Sequence, residues 1–128
     1  MKTIVIMNEQ HTMMVSQSAI MDERFGEFNW EVFPVPSNGW TKEEMDSLAQ
    51  GWAKVRESGW IKDVVFLSPI PYLLAKVASM RIHWSEEREM YYPPRIHLFH
   101  NDRREKRELP DGRILQVVAK EGWELVSF

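Results

Sequence analysis

The chain has 128 residues, 44% of them hydrophobic and 27% charged, a formal net charge of −3 and no cysteine. This length predicts one domain over residues 1–128, with a single core and no room for a separate catalytic module. The missing thiols exclude disulfides, a thiolate nucleophile and Cys-based zinc, and the acidic balance argues against duplex DNA as a partner.

In chain order, Lys2 to Met7 is apolar after Thr3, as expected of a parallel strand covered on both faces, and runs into the polar turn Asn8-Glu9-Gln10-His11-Thr12. Thr12 is expected to cap a helix reaching about Phe25, with Gly26 as its stop. Phe28 to Val35 places Phe28, Trp30 and Val32 in one register and reads as a shorter strand nearer an edge, closed by Pro34 and Pro36. Thr41-Lys42-Glu43-Glu44 is a capping box, followed by Met45, Leu48, Ala49, Trp52 and Ala53 at core-facing helical spacing. That helix is expected to end near Gly59.

Asp63 to Leu67 predicts a third strand, after which Ser68 caps a helix whose first turn holds Pro69 and Pro71. Leu73, Leu74, Val77 and Met80 form its apolar face, and Trp84 is a candidate extension. Ser85 to Pro94 reads as a connecting loop, and Arg95 to His100 as a fourth strand with Ile96 and Leu98 opposed to His97 and Phe99. Arg103 to Leu109, the turn Pro110-Asp111-Gly112 and Arg113 to Ala119 read as a hairpin, and Trp123 to Phe128 as a last short strand. The expected fold is α/β and Rossmann-like, with a mostly parallel central sheet, helices on both faces and a C-terminal β-hairpin.

Ligands in open α/β sheets bind beyond the carboxyl ends of parallel strands, where helix N-termini and backbone amides face outward. Right-handed crossovers would gather Asn8, Gln10, His11, Thr12, Ser68, Tyr72, Asn101, Asp102, Arg103 and Arg104 at that edge. The set is rich in donors and short of carboxylates, which suits a phosphate better than a metal. His11 has two readings, a turn histidine bonded within its own loop or a phosphate contact and proton shuttle. Ser68 reads first as a helix cap and only second as a nucleophile. Arg103-Arg104-Glu105-Lys106-Arg107 is either a solvated face or, at the end of the fourth strand, a bidentate phosphate clamp. The chain contains no G-x-G-x-x-G, P-loop or G-x-S-x-G motif, and its His residues at 11, 83, 97 and 100 lack metal-ligand spacing. No metal site and no cofactor are expected.

The polar His-Thr turn Asn8 to Thr12, Leu67-Ser68-Pro69 after a central strand, and Asn101-Asp102-Arg103-Arg104 with the Pro110-Asp111-Gly112 turn together resemble the CARF group, the CRISPR-associated Rossmann-fold proteins. The resemblance is to its small stand-alone members. It implies a homodimer whose paired sheet edges form a two-fold symmetric pocket for cyclic tetra- or hexa-adenylate. It further implies a metal-independent ring nuclease in type III CRISPR antiviral signalling, positioning a ribose 2′-hydroxyl in line with the adjacent phosphorus. On this reading Asn8, Gln10, His11 and Thr12 hold one phosphate, and Ser68 and the following helix start another. Tyr72 and Asn101 complete the ligand-binding set, Arg103 or Arg104 neutralises charge, and His11 protonates the leaving 5′-oxygen. A non-catalytic binder of the same ligand is the alternative, and a protein-interaction module, suggested by six Trp and eight Met, is a third class. No apolar run approaches the ~20 residues of a membrane span, and Lys2 leads straight into a strand, so a cytoplasmic protein is expected.

Overall fold

In the computed structural model, which describes residues 2–57 and 59–128, the chain is a mixed α/β protein built on a mostly parallel five-stranded sheet. The elements in order are β1 (Lys2–Asn8), α1 (Val15–Phe25), β2 (Trp30–Val35), α2 (Lys42–Ala53), β3 (Ile61–Phe66) and α3 (Pro71–Ser79). They continue with β4 (His83–Trp84), β5 (Met90–Tyr91), β6 (Arg95–His100), β7 (Arg104–Glu108), β8 (Ile114–Val118) and β9 (Glu124–Ser127). The sheet order is β2-β1-β3-β6-β9. Its first four strands run parallel, and β9 returns antiparallel along β6.

Alternation along the strands divides the core in two. Ile4, Ile6, Val64, Phe66 and Ile96 pack with Ala49 and Trp52 of α2 and Leu73 and Val77 of α3. Val5 and Val65, one residue out of phase, pack with Met21 of α1 and with Phe25, Trp30 and Phe99. Strands β1 and β3 are buried on alternate residues of both kinds, which is why their sequences read as unbroken apolar runs.

Several boundaries differ from those the sequence suggests. Helix α1 begins at Val15 after Met14, because the Gln17 side chain bonds back to the Met14 amide; Thr12 lies upstream of it, exposed in the turn. Helix α3 begins at Pro71 after Ile70, because the Ser68 hydroxyl is engaged by β1 instead of the helix start. Helix α2 has the expected capping box, with Thr41 Oγ1 accepting from the Glu44 amide, but it stops at Ala53. Beyond it Lys54 bridges to Tyr91, the Val55 amide donates to Met90, and Lys54 Nζ meets Glu89 at 2.8 Å. Pairing with β5 thus outcompetes another helical turn; Ser58, within the longer helix the pattern suggests, lies outside the described residues.

Phe28 is not in β2. It sits in the turn before it at φ 70°, 92% exposed, and β2 turns Phe33 and Val35 into one core and Trp30 into the other. Trp84 does not extend α3, and the stretch expected to be a plain loop contains β5, which pairs with β4. Strands β7 and β8 form a separate two-stranded antiparallel sheet, followed by β9 at the edge of the main sheet.

Candidate functional site

Because β1, β2, β3 and β6 are parallel, the turns after Asn8, Val35, Phe66 and His100 leave from one rim. The centre of that rim is closed by a direct bond. The Asn8 amide donates to Ser68 Oγ at 2.9 Å, while the Leu67 and Ser68 amides both donate to the Ile6 carbonyl. Ser68 is buried, so its hydroxyl ties the two central turns together before it can serve any ligand.

The Asn8 side chain shapes its own turn. Its Oδ1 accepts from the Gln10 amide and its carbonyl from the His11 amide, an Asx turn of the kind Asn favours. The Glu9 amide is fixed to the Val35 carbonyl and the Glu9 carboxylate to the Ser37 amide, so the turn is strapped to the end of β2. Gln10, His11 and Thr12 are left facing solvent.

Asn101 organises the other side of the rim. It is 6% exposed; its Nδ2 donates to the carbonyls of Ala119 and Glu121, and its Oδ1 accepts from the Arg103 amide. The loop between β8 and β9 is thereby pinned to the end of β6, and the Ser16 hydroxyl of α1 reaches it at the Lys120 carbonyl. Arg104 Nη1 folds back onto the carbonyls of Asn101 and Arg103. Arg103 is exposed and its stem lies against Gly122.

The structure brings together Asn8, Gln10 and Ser68 on one side and Asn101, Arg103 and Arg104 on the other. Tyr72 is engaged elsewhere: its hydroxyl donates to Asp46 of α2 at 2.7 Å, and this bond to a carboxylate raises the phenol above its ordinary pKa. One rim residue absent from the sequence-derived set is His100, whose Nε2 lies 2.6 Å from Asp102 Oδ1, both side chains well exposed. A histidine two residues from an aspartate at a strand end was the available signal. Among the described residues no three His, Asp or Glu side chains group as metal ligands, and no helix is long and apolar enough to cross a membrane.

At the opposite rim, the first residues of the parallel strands border a cleft of about 920 Å³ that sequence reasoning missed. Beside it runs a buried polar chain. Ser127 Oγ lies 2.7 Å from His97 Nδ1, and His97 Nε2 lies 2.7 Å from Asp63 Oδ1, with His97 only 1% exposed. Burial lowers the pKa of His97 against the opposing pull of Asp63, so the ring is neutral at pH 7, donating to Asp63 and accepting from Ser127. The sole sequence clue was polarity out of place: one carboxylate and one imidazole inside apolar strands.

Comparison with protein-family models, with characterised proteins and with solved structures gives no match to this chain. The class its fold defines is a mixed α/β protein with a mostly parallel sheet.

Proposed function

We propose that this protein is a Rossmann-like, CARF-type binder of cyclic oligoadenylate that holds the ring at the carboxyl rim of its sheet and cleaves it without a metal. The observation that carries the reading is the Asn8 to Ser68 bond, which makes the two central turns abut. His11, Thr12 and Arg103, in turns that leave the same rim, are exposed donors that suit phosphate oxygens. His11 is the proton donor to the leaving 5′-oxygen, and Arg103 and Arg104 neutralise charge as the 2′-hydroxyl attacks. A homodimer matches the two-fold symmetry of an even-numbered ring. The exposed Ile114, Leu115 and Val118 on the two-stranded β7 and β8 ribbon favour such a partner, since an isolated ribbon of this kind is marginal in water.

The test is incubation with cyclic tetra- and hexa-adenylate, with and without EDTA, read by thermal shift and by chromatography of the products. Binding with EDTA-insensitive cleavage supports the reading. Arg103→Ala with Arg104→Ala should weaken binding, and His11→Ala should slow cleavage more than binding. Binding without cleavage would make the protein a non-catalytic sponge or regulator, and no shift with either ring rejects the proposal.

A further inference from the structure

Net charge is −3, yet positive charge collects at a second place besides the Arg103 to Arg107 run. The cleft at the amino rim draws Lys and Arg from β1, α1, β3 and β6 and from the segment after α2, against only two acidic residues, Glu31 and Asp63. Lys2 is neutralised by Glu31 at 2.8 Å and Lys54 by Glu89 at 2.8 Å. Arg56, Lys62 and Arg95 form no salt bridge among the described residues. Cations left uncompensated together repel one another, a cost that an anionic ligand removes.

One of the cations is held in place. Arg24 Nη2 donates at 2.8 Å to Ser127 Oγ, the hydroxyl that leads through His97 to Asp63. Ser127 and His97 are directly opposed across β9 and β6, so the chain of bonds is anchored in the sheet. A guanidinium fixed from behind loses little freedom on meeting a ligand.

The same cleft has an aromatic lip. Phe28 borders it at 92% exposure and φ 70°, a conformation costly for a residue with a Cβ. The turn is fastened by the Asn29 amide to the Gly26 carbonyl and by Asn29 Nδ2 to the Phe25 carbonyl. Trp30 and Trp60 border the cleft as well. A solvated Phe28 ring with half-buried Trp30 and Trp60 near unpaired cations suits a ligand that joins a flat base to a phosphate.

We propose that the amino-rim cleft is a second binding site, separate from the carboxyl rim, for a nucleoside phosphate: the base stacks on Phe28 and the phosphate meets Arg24, Lys62 and Arg95. The volume of about 920 Å³ accommodates a mononucleotide or a short segment of single strand. Calorimetric titration of the intact protein at low salt with adenosine 5′-monophosphate, linear tri-adenylate and inorganic phosphate distinguishes these sources. Saturable binding of the monophosphate or the trinucleotide is expected, with about tenfold tighter binding of the trinucleotide if the site takes a strand. Lys62→Glu with Arg95→Glu should lose at least about tenfold in affinity, whereas Arg103→Ala with Arg104→Ala should leave it unchanged. Phe28→Ala should lose about fivefold or more while keeping the wild-type melting temperature. The proposal is overturned if none of the nucleotides binds, if inorganic phosphate alone binds as tightly as the monophosphate, or if affinity follows Arg103 and Arg104 in place of Lys62 and Arg95.

Discussion

The imidazole of His97 donates from Nε2 to Asp63 Oδ1 at 2.7 Å, tying β6 to β3 inside the core at the rim opposite Asn8 and Ser68. One face of the pair meets the Phe25 ring, edge-on to His97 at 5.3 Å between centroids, and the other borders the cationic cleft with Arg24 and Arg95. Removing the imidazole leaves a buried carboxylate without its donor, and the Ser127 hydroxyl bonded to Arg24 alone. His97→Ala should therefore cost about 3 kcal/mol, more than the loss of one neutral hydrogen bond, measured by urea unfolding.

The same residue makes stability depend on pH. Burial lowers the folded-state pKa of His97, with Asp63 opposing and the nearby Arg24 and Arg95 reinforcing the shift. The unfolded chain takes up a proton as pH falls through its ordinary value of 6.5, and the folded chain does not until lower pH. The contribution is thus fully present above about pH 7 and is lost as pH falls through the folded pKa. Melting temperature should drop between pH 7 and 5 in the wild type. A His97→Gln variant that folds should show a flatter profile over that range; an unchanged slope would assign the effect to other groups.

Asn101 holds two loops together through both ends of its amide. Asn101→Ala removes two bonds to the carbonyls of Ala119 and Glu121 and one from the Arg103 amide. The expected destabilisation is about 2 kcal/mol. Hydrogen exchange should quicken at Ala119, whose amide is bonded to the Arg103 carbonyl, before it quickens in the central strands.

Gly122 has φ 90°, and a Cβ there would come within 2.6 Å of Arg103 Cδ. The guanidinium stem is flexible and can swing away, so Gly122→Ala should displace Arg103 and add backbone strain of about 1 to 2 kcal/mol. If Arg103 meets phosphate at the carboxyl rim, this change should weaken cyclic oligoadenylate binding in calorimetry without touching a charged residue. Equal affinity would remove Arg103 from the site.

The features legible in advance were those written in neighbouring residues. The capping box at Thr41 and Glu44, the apolar runs of β1 and β3, and the opposed sets Ile96 with Leu98 and His97 with Phe99 each depend on spacings of one to four positions. Helix starts at Thr12 and Ser68 were misread for a related reason. Both residues are good caps locally, but the Gln17 side chain fixes the first helix start at Met14, and a strand partner takes the second hydroxyl.

From its sequence alone, this chain declared an α/β fold with parallel strands ending in polar turns, because burial on two faces demands apolar runs and chain reversal demands polar ones. Only the tertiary structure decided what those turns and buried polar groups bond to. Asn8 and Ser68 are 60 positions apart, Asp63 and His97 34, and His97 and Ser127 30. Such pairs are set by strand order and register, which make neighbours of side chains that no local pattern links. The cationic cleft arose in the same way, from single Lys and Arg residues on separate elements that meet where parallel strands begin.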